Sequence, residues 1–147
     1  MRPGAIRTAI AEAASTVTLP DGIRALTCTG YVPDAITEPA FFVAEFTQEF
    51  DGAYGRALDT LEFTARVLVG RQDDRAAQAL LDSLLDGSGP TSLKAAIESA
   101  RGAPGEAALG GLCHDYRVTR VQGYRWYEHA DTQYIGAELI ISVIGEG

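Results

Sequence analysis

Cysteine is scarce in this chain, cations are outnumbered, and the familiar catalytic motifs are missing. Cys28 and Cys113 lie far apart and lack the paired spacing of a zinc or redox site. They read as two buried free thiols in a reducing compartment. Lys and Arg number 12 against 20 Asp and Glu, a formal charge of −8. Such a balance argues against wrapping duplex DNA, because phosphate binding relies on cations displacing counterions. No stretch approaches the roughly 18 apolar residues of a membrane span. Met1-Arg2-Pro3-Gly4-Ala5-Ile6-Arg7 has no apolar run ahead of a cleavage site. The expectation is a protein made and folded in the cytosol, with no membrane contact.

Chemistry is equally sparse. There is no Gly-rich phosphate loop followed by Lys and Ser or Thr, no Gly-x-Ser-x-Gly elbow and no His-Glu-x-x-His pair. Cys113-His114-Asp115 offers a thiol, an imidazole and a carboxylate in a row, but neighbours on a strand point to opposite faces. His114 and Asp115 with Glu128, His129 and Asp131 form the best cluster of metal-type ligands. They would have to converge in space to bind an ion, and polar hairpin residues facing water explain them better. No catalytic residue, no metal ligand and no cofactor is assigned.

What is present is an ordinary globular composition, 46 % hydrophobic and 22 % charged over 147 residues. That is enough chain for one domain, residues 1–147, burying about two-thirds of its unfolded surface. Ile6, Ile10, Ala13 and Val17 follow a helical period from Pro3 to Val17, closed by a Pro20-Asp21-Gly22 turn. Ile23 to Thr29 suggests a short strand and Ala40 to Phe46 a second. Leu61, Phe63, Ala65, Val67 and Val69 alternate with polar residues, the mark of a half-buried strand. With Thr47 to Arg56 as the loop between them, these two strands read as an extended antiparallel hairpin.

Gln72 to Asp86 reads as a helix with Asp73 and Asp74 in its first turn and Gly87 as its stop. A short helix over Leu93, Ala96, Ile97 and Ala100 has a hydroxyl cap available. Gly102 to Gly111 reads as a loop, then Leu112 to Gln122 and Ile135 to Ile144 as strands joined by Gly123 to Gln133. Helices and hairpins are segregated along the chain instead of alternating. The fold expected is α+β, a mainly antiparallel sheet flanked by two to three helices.

Two groups of residues invite a functional reading. Tyr124, Arg125, Trp126 and Tyr127 form the densest aromatic group, in the expected connection of the last hairpin, and Phe50 and Tyr54 mark the tip of the first. Aromatics and Arg anchor protein interfaces because they bury large area at low entropy cost. They equally well roof a protein's own core. From Asp34 to Glu62 there are seven acids (Asp34, Glu38, Glu45, Glu49, Asp51, Asp59, Glu62) against Arg56 alone. A solvated face is the plain reading. The functional alternative is an electronegative channel wall, built from Glu45, Glu49, Asp51, Asp59 and Glu62, past which DNA slides without sticking.

Nearly the whole chain resembles a tail terminator protein of long-tailed bacteriophages, through order, length and composition. The resemblance is carried by the opening helix, the extended hairpin, Asp73-Asp74-Arg75-Ala76 through Leu81-Asp82, and Ser92-Leu93 with Ala96-Ile97. It ends on the closing Gly136-Ala137-Glu138-Leu139-Ile140-Ile141-Ser142-Val143. It implies a structural virion subunit at the head–tail junction, assembled as a hexameric ring with DNA passing through the lumen. The tail tube protein and a head-closure or connector protein would be its partners. It implies no catalytic residues. A head-closure or other neck protein is the nearest rival. A small-molecule-binding or catalytic α+β domain using His114, Glu128, His129 and Asp131 is the rival of another class.

Overall fold

The computed structural model of the chain describes residues 1–50, 58–71, 75–103 and 105–146. Its elements are α1 (Pro3–Ala14), β1 (Thr27–Thr29), β2 (Ala40–Glu49), β3 (Asp59–Arg71), α2 (Arg75–Leu84), α3 (Leu93–Glu98), β4 (Asp115–His129) and β5 (Thr132–Gly145). A 3-10 turn, Leu109–Gly111, leads into β4. The strands form one mixed sheet in the order β1-β2-β3-β5-β4, with β1 parallel to β2 and the other pairs antiparallel. This is the α+β fold expected from the sequence.

Period-two alternation divides the long strands between two environments. Leu61, Phe63, Ala65 and Val67 of β3 and Ala137, Leu139, Ile141 and Val143 of β5 are all at most 1 % exposed. They pack under Ile6 and Ile10 of α1, Leu81 and Leu84 of α2, and Leu93 and Ile97 of α3. All three helices thus lie on one face of the sheet. Each fully buried Leu, Ile or Phe there contributes about 1.5–3 kcal/mol. The other face carries a smaller cluster of Phe42, Leu68, Tyr127 and Tyr134, with Ile36 and Ala44 against it.

Several expected boundaries move, for local reasons. Helix α1 ends at Ala14 and not Val17, because the Thr16 and Val17 amides donate to carbonyls three residues back, Ala13 and Ala14, and tighten the last turn. The strand expected from Ile23 shrinks to Thr27–Thr29, since Ile23 N–H donates to Pro20 O and closes a turn there. Thr47 to Glu49 is strand and not loop. Ser92 caps α3 as expected, its hydroxyl accepting from Ala95 N–H at 3.1 Å. Asp73 and Asp74 lie outside the described residues.

The largest correction concerns Gly123 to Gln133. Strand β4 runs through to His129, and the turn to β5 is only Ala130-Asp131, with φ of 50° and 65°. These two left-handed residues match the twist of a tight hairpin. Gly123 marks a bulge within β4, not a turn: the register shifts between Gln122 and Arg125, and its φ is 64°.

Candidate functional site: the open face of the sheet

Cross-strand register fixes the helix-free face row by row. Glu49, Thr60, Ile144 and Asp115 lie level across β2, β3, β5 and β4; the next rows are Thr47, Glu62, Ser142 and Arg117, then Glu45, Thr64, Ile140 and Arg120. Glu45, Glu49 and Glu62 are exposed on the β2–β3 side, and Arg117 and Arg120 are exposed on β4. Neutral Ser142, Ile140 and Ile144 of β5 stand between them. Apart from Asp115, which Arg101 engages, acid and base therefore occupy opposite sides of one sheet face.

Further along this face the charges are paired and covered. Arg66 donates from Nη2 to Glu138 Oε2 at 2.8 Å and from Nε at 3.3 Å, and Gln122 Nε2 donates to Glu138 Oε1 at 3.3 Å. The Arg66 and Arg125 guanidinium carbons stand 4.7 and 4.6 Å from the Tyr127 ring centre, within cation–π range. Burial alone would raise the Glu138 carboxyl, but Arg66 and Gln122 outweigh it and hold Glu138 below its usual value of 4.5. Tyr127 donates to Gly123 O at 2.5 Å. A Cβ at Gly136 would overlap the Val67 carbonyl oxygen and approach Leu68 Cδ2 to 2.7 Å, so the strands close here only over glycine. The segment before β2 reaches the same end of the sheet, where His129 Nε2 lies 2.8 Å from Pro33 O and Ile36 packs on the cluster.

The candidate interface residues separate. Phe50, 70 % exposed, follows the acidic end of β2. Tyr54 and Asp51 lie outside the described residues. Tyr124 and Trp126 are exposed but sit within β4, on the helix side; Tyr124 donates to Asp82 of α2 at 3.1 Å and Trp126 pairs with Ile135. Arg125 is exposed on the open side, level with Gly136. Tyr127 is 6 % exposed and fills the second cluster, so its ring serves the protein's own core. Asp59 is 3 % exposed and takes no part in an acidic surface, because its position in β3 alternates with Thr60 and Glu62.

The residues of the catalytic alternative do not converge. His114 adjoins the start of β4 and His129 ends it, fifteen residues later by strand length. Among the described residues no group of three or more His, Cys, Asp and Glu is placed to hold a metal ion. Burial pushes the Cys28 thiol up to about 12 and, with Asp115 nearby, the Cys113 thiol to about 11, so neither is a ready thiolate at neutral pH. An open recess of about 540 Å³ lies between Glu98, Arg101, Glu106, His114 and Asp115. Its central charges satisfy each other, Arg101 donating twice to Asp115 at 3.0 Å.

Sequence reasoning passed over Arg66, Glu138, Arg117 and Arg120. Their signal was there: each stands at a polar position of an alternating strand, but only strand order sets Arg66 beside Glu138 and removes Arg117 and Arg120 from the acids.

Fold and site together define an α+β protein whose mixed sheet is sealed by helices on one side and left open, with charge divided across it, on the other. No protein-family model matches the chain, and no curated protein matches its sequence.

Proposed function

We propose that the protein is a structural subunit of a phage tail, a tail terminator that forms a ring over the end of the tail tube and joins it to the head connector. The observation that carries this reading is the open sheet face with unlike, exposed surfaces at its two sides, Glu45, Glu49 and Glu62 against Arg117 and Arg120. A closed ring needs heterologous contacts, in which one patch of a subunit meets a different patch of the next. A net charge of −8 supports passage of DNA without adhesion. Phe50 at 70 % exposure and Trp126 at 39 % are apolar groups available to partners.

The test is native mass spectrometry across a concentration series, alone and with polymerised tail tube protein, with the same samples imaged by negative stain. A six-fold ring, free or seated on tube ends and halting their growth, is the expected result. A monomer that neither forms rings nor changes tube length would sink the reading.

A further inference from the structure

The sheet has two free edges, and they are opposite in charge. Strand β4 has a neighbour only on its β5 side, leaving the outer edge of Asp115–His129 without a strand partner among the described residues. On the other side β1 pairs with β2 only at Ala40, Phe41 and Phe42, so β2 from Val43 to Glu49 has no strand outside it among the described residues. Such edges are templates for another strand; on β4 the Val118 N–H donates to Glu98 Oε2 at 3.0 Å, a side-chain contact that an incoming strand would displace.

We propose that the free half of β2 in one copy pairs with the β4 edge of a second copy, head to tail, so that the sheet continues from subunit to subunit. The proposal rests on the ring reading and moves Glu45 and Glu49 from a lumen wall to a subunit contact. Three features favour this pairing. Direction is the first: β2 to β3, β3 to β5 and β5 to β4 are three antiparallel steps, so β4 runs antiparallel to β2. A sheet continued around a ring, same face inward, therefore joins the two edges as an antiparallel pair.

Charge is the second feature. Glu45 is level with Arg120 and Thr47 with Arg117 in the rows of the sheet, so rotation about a ring axis brings Glu45 of one copy beside Arg120 of the next, while Glu49 comes level with Asp115, whose carboxylate Arg101 already holds. No Lys or Arg occurs in β2. Arg117 and Arg120 form no ion pair among the described residues, while Arg66 and Arg101 are already paired with Glu138 and Asp115. Two β2 edges repel each other, and Arg117 and Arg120 disfavour joining two β4 edges, so charge favours the unlike pairing over a two-fold dimer.

The third feature is an apolar cleft of about 100 Å³ beside the β4 edge, lined by Leu84, Leu85, Val118, Val121 and Leu139 and flanked by Lys94 and Arg120. Phe46, next to Glu45 and 39 % exposed on the helix side of β2, is level with Val118 of that cleft in the rows of the sheet. An aromatic anchor beside acids and an apolar cleft beside cations are complementary parts of one contact.

Two charge-reversed proteins test the pairing, Glu45→Lys/Glu49→Lys and Arg117→Glu/Arg120→Glu. Each alone carries like charges on both edges and should need at least about tenfold higher concentration to assemble in native mass spectrometry. Their equimolar mixture should restore rings at wild-type concentration, with the two chains in equal number. Circular dichroism and melting of each variant control for folding. Variants that assemble as the wild type does, or folded variants whose mixture stays apart, would overturn the pairing while leaving the ring reading intact. A wild type that forms no ring with or without tail tubes would overturn both.

Discussion

Strand β3 has two lives. On its helix side Leu61, Phe63, Ala65 and Val67 are fully buried under α1, α2 and α3. On its open side Thr60, Glu62 and Thr64 meet water, and only Arg66 and Leu68 are drawn into a small cluster. The backbone is shared, so propensity and hydrogen bonding are the same for both sets; the difference is what lies above each face. Stability is concentrated on the first face, which leaves the second free to vary its chemistry at little cost to folding.

That contrast is sharpest in the cost of substitution. Phe63→Ala, in the middle of the covered face, should lose about 3–5 kcal/mol, the transfer term plus an unfilled cavity, read from the urea midpoint. Leu68→Ala, equally buried but in the four-residue cluster of the open face, should lose about 2–3 kcal/mol because the smaller cluster can relax into the gap. A loss as large as that of Phe63→Ala would show that the open face holds a second core of equal weight.

Glu138→Ala should cost about 2 kcal/mol, below the value for a fully buried pair because Arg66 retains contact with water. This effect depends on pH in a definite direction. The folded carboxyl titrates below 4.5, so the stability from its pairing is fully present above that value and is lost as pH falls through the lowered folded pKa. The gap between wild type and Glu138→Ala should thus be constant at neutral pH and narrow below about pH 4.5; acid melts of both proteins check it. Asp115 is also held low, first by its hydrogen bonds to Arg101, but that pair is well exposed and its contribution is small.

Smallest of all is Glu62→Gln. It should change stability by less than about 0.5 kcal/mol, as for an exposed residue without a close charged partner among the described residues. Thermal melts that move by several degrees would mean that the acids of the open face hold the fold together, erasing the contrast between the faces.

Much of the architecture was legible in the chain. Alternation in Leu61 to Val69 and Ile135 to Val143 reports burial of one face of a strand, and the periods of Ile6-Ile10 and Leu80-Leu81-Leu84 report helices laid on it. The errors came from glycine and from turn chemistry. Gly123 looks like a turn because glycine supplies positive φ cheaply, yet here the positive φ serves a bulge, while the real turn falls on Ala130 and Asp131. Moving that turn by several residues carries Tyr124, Trp126 and Tyr127 from a loop into β4, and one of the three into a core.

The candidate site was less legible, because a sheet face is assembled from residues remote in sequence. Glu138 and Arg66 are 72 positions apart, and no local pattern says that β5 inserts between β3 and β4. By itself the sequence determined the α+β class, the acid excess and the apolar faces, since hydrophobic periodicity and charge are local properties of a chain. Tertiary structure alone decided that Asp59 and Tyr127 are buried, that Glu138 is paired, and that Glu45, Glu49 and Glu62 stand across one open face from Arg117 and Arg120. Strand order and register are global, set by which pairing buries the most apolar surface, and the charges go where that packing carries them.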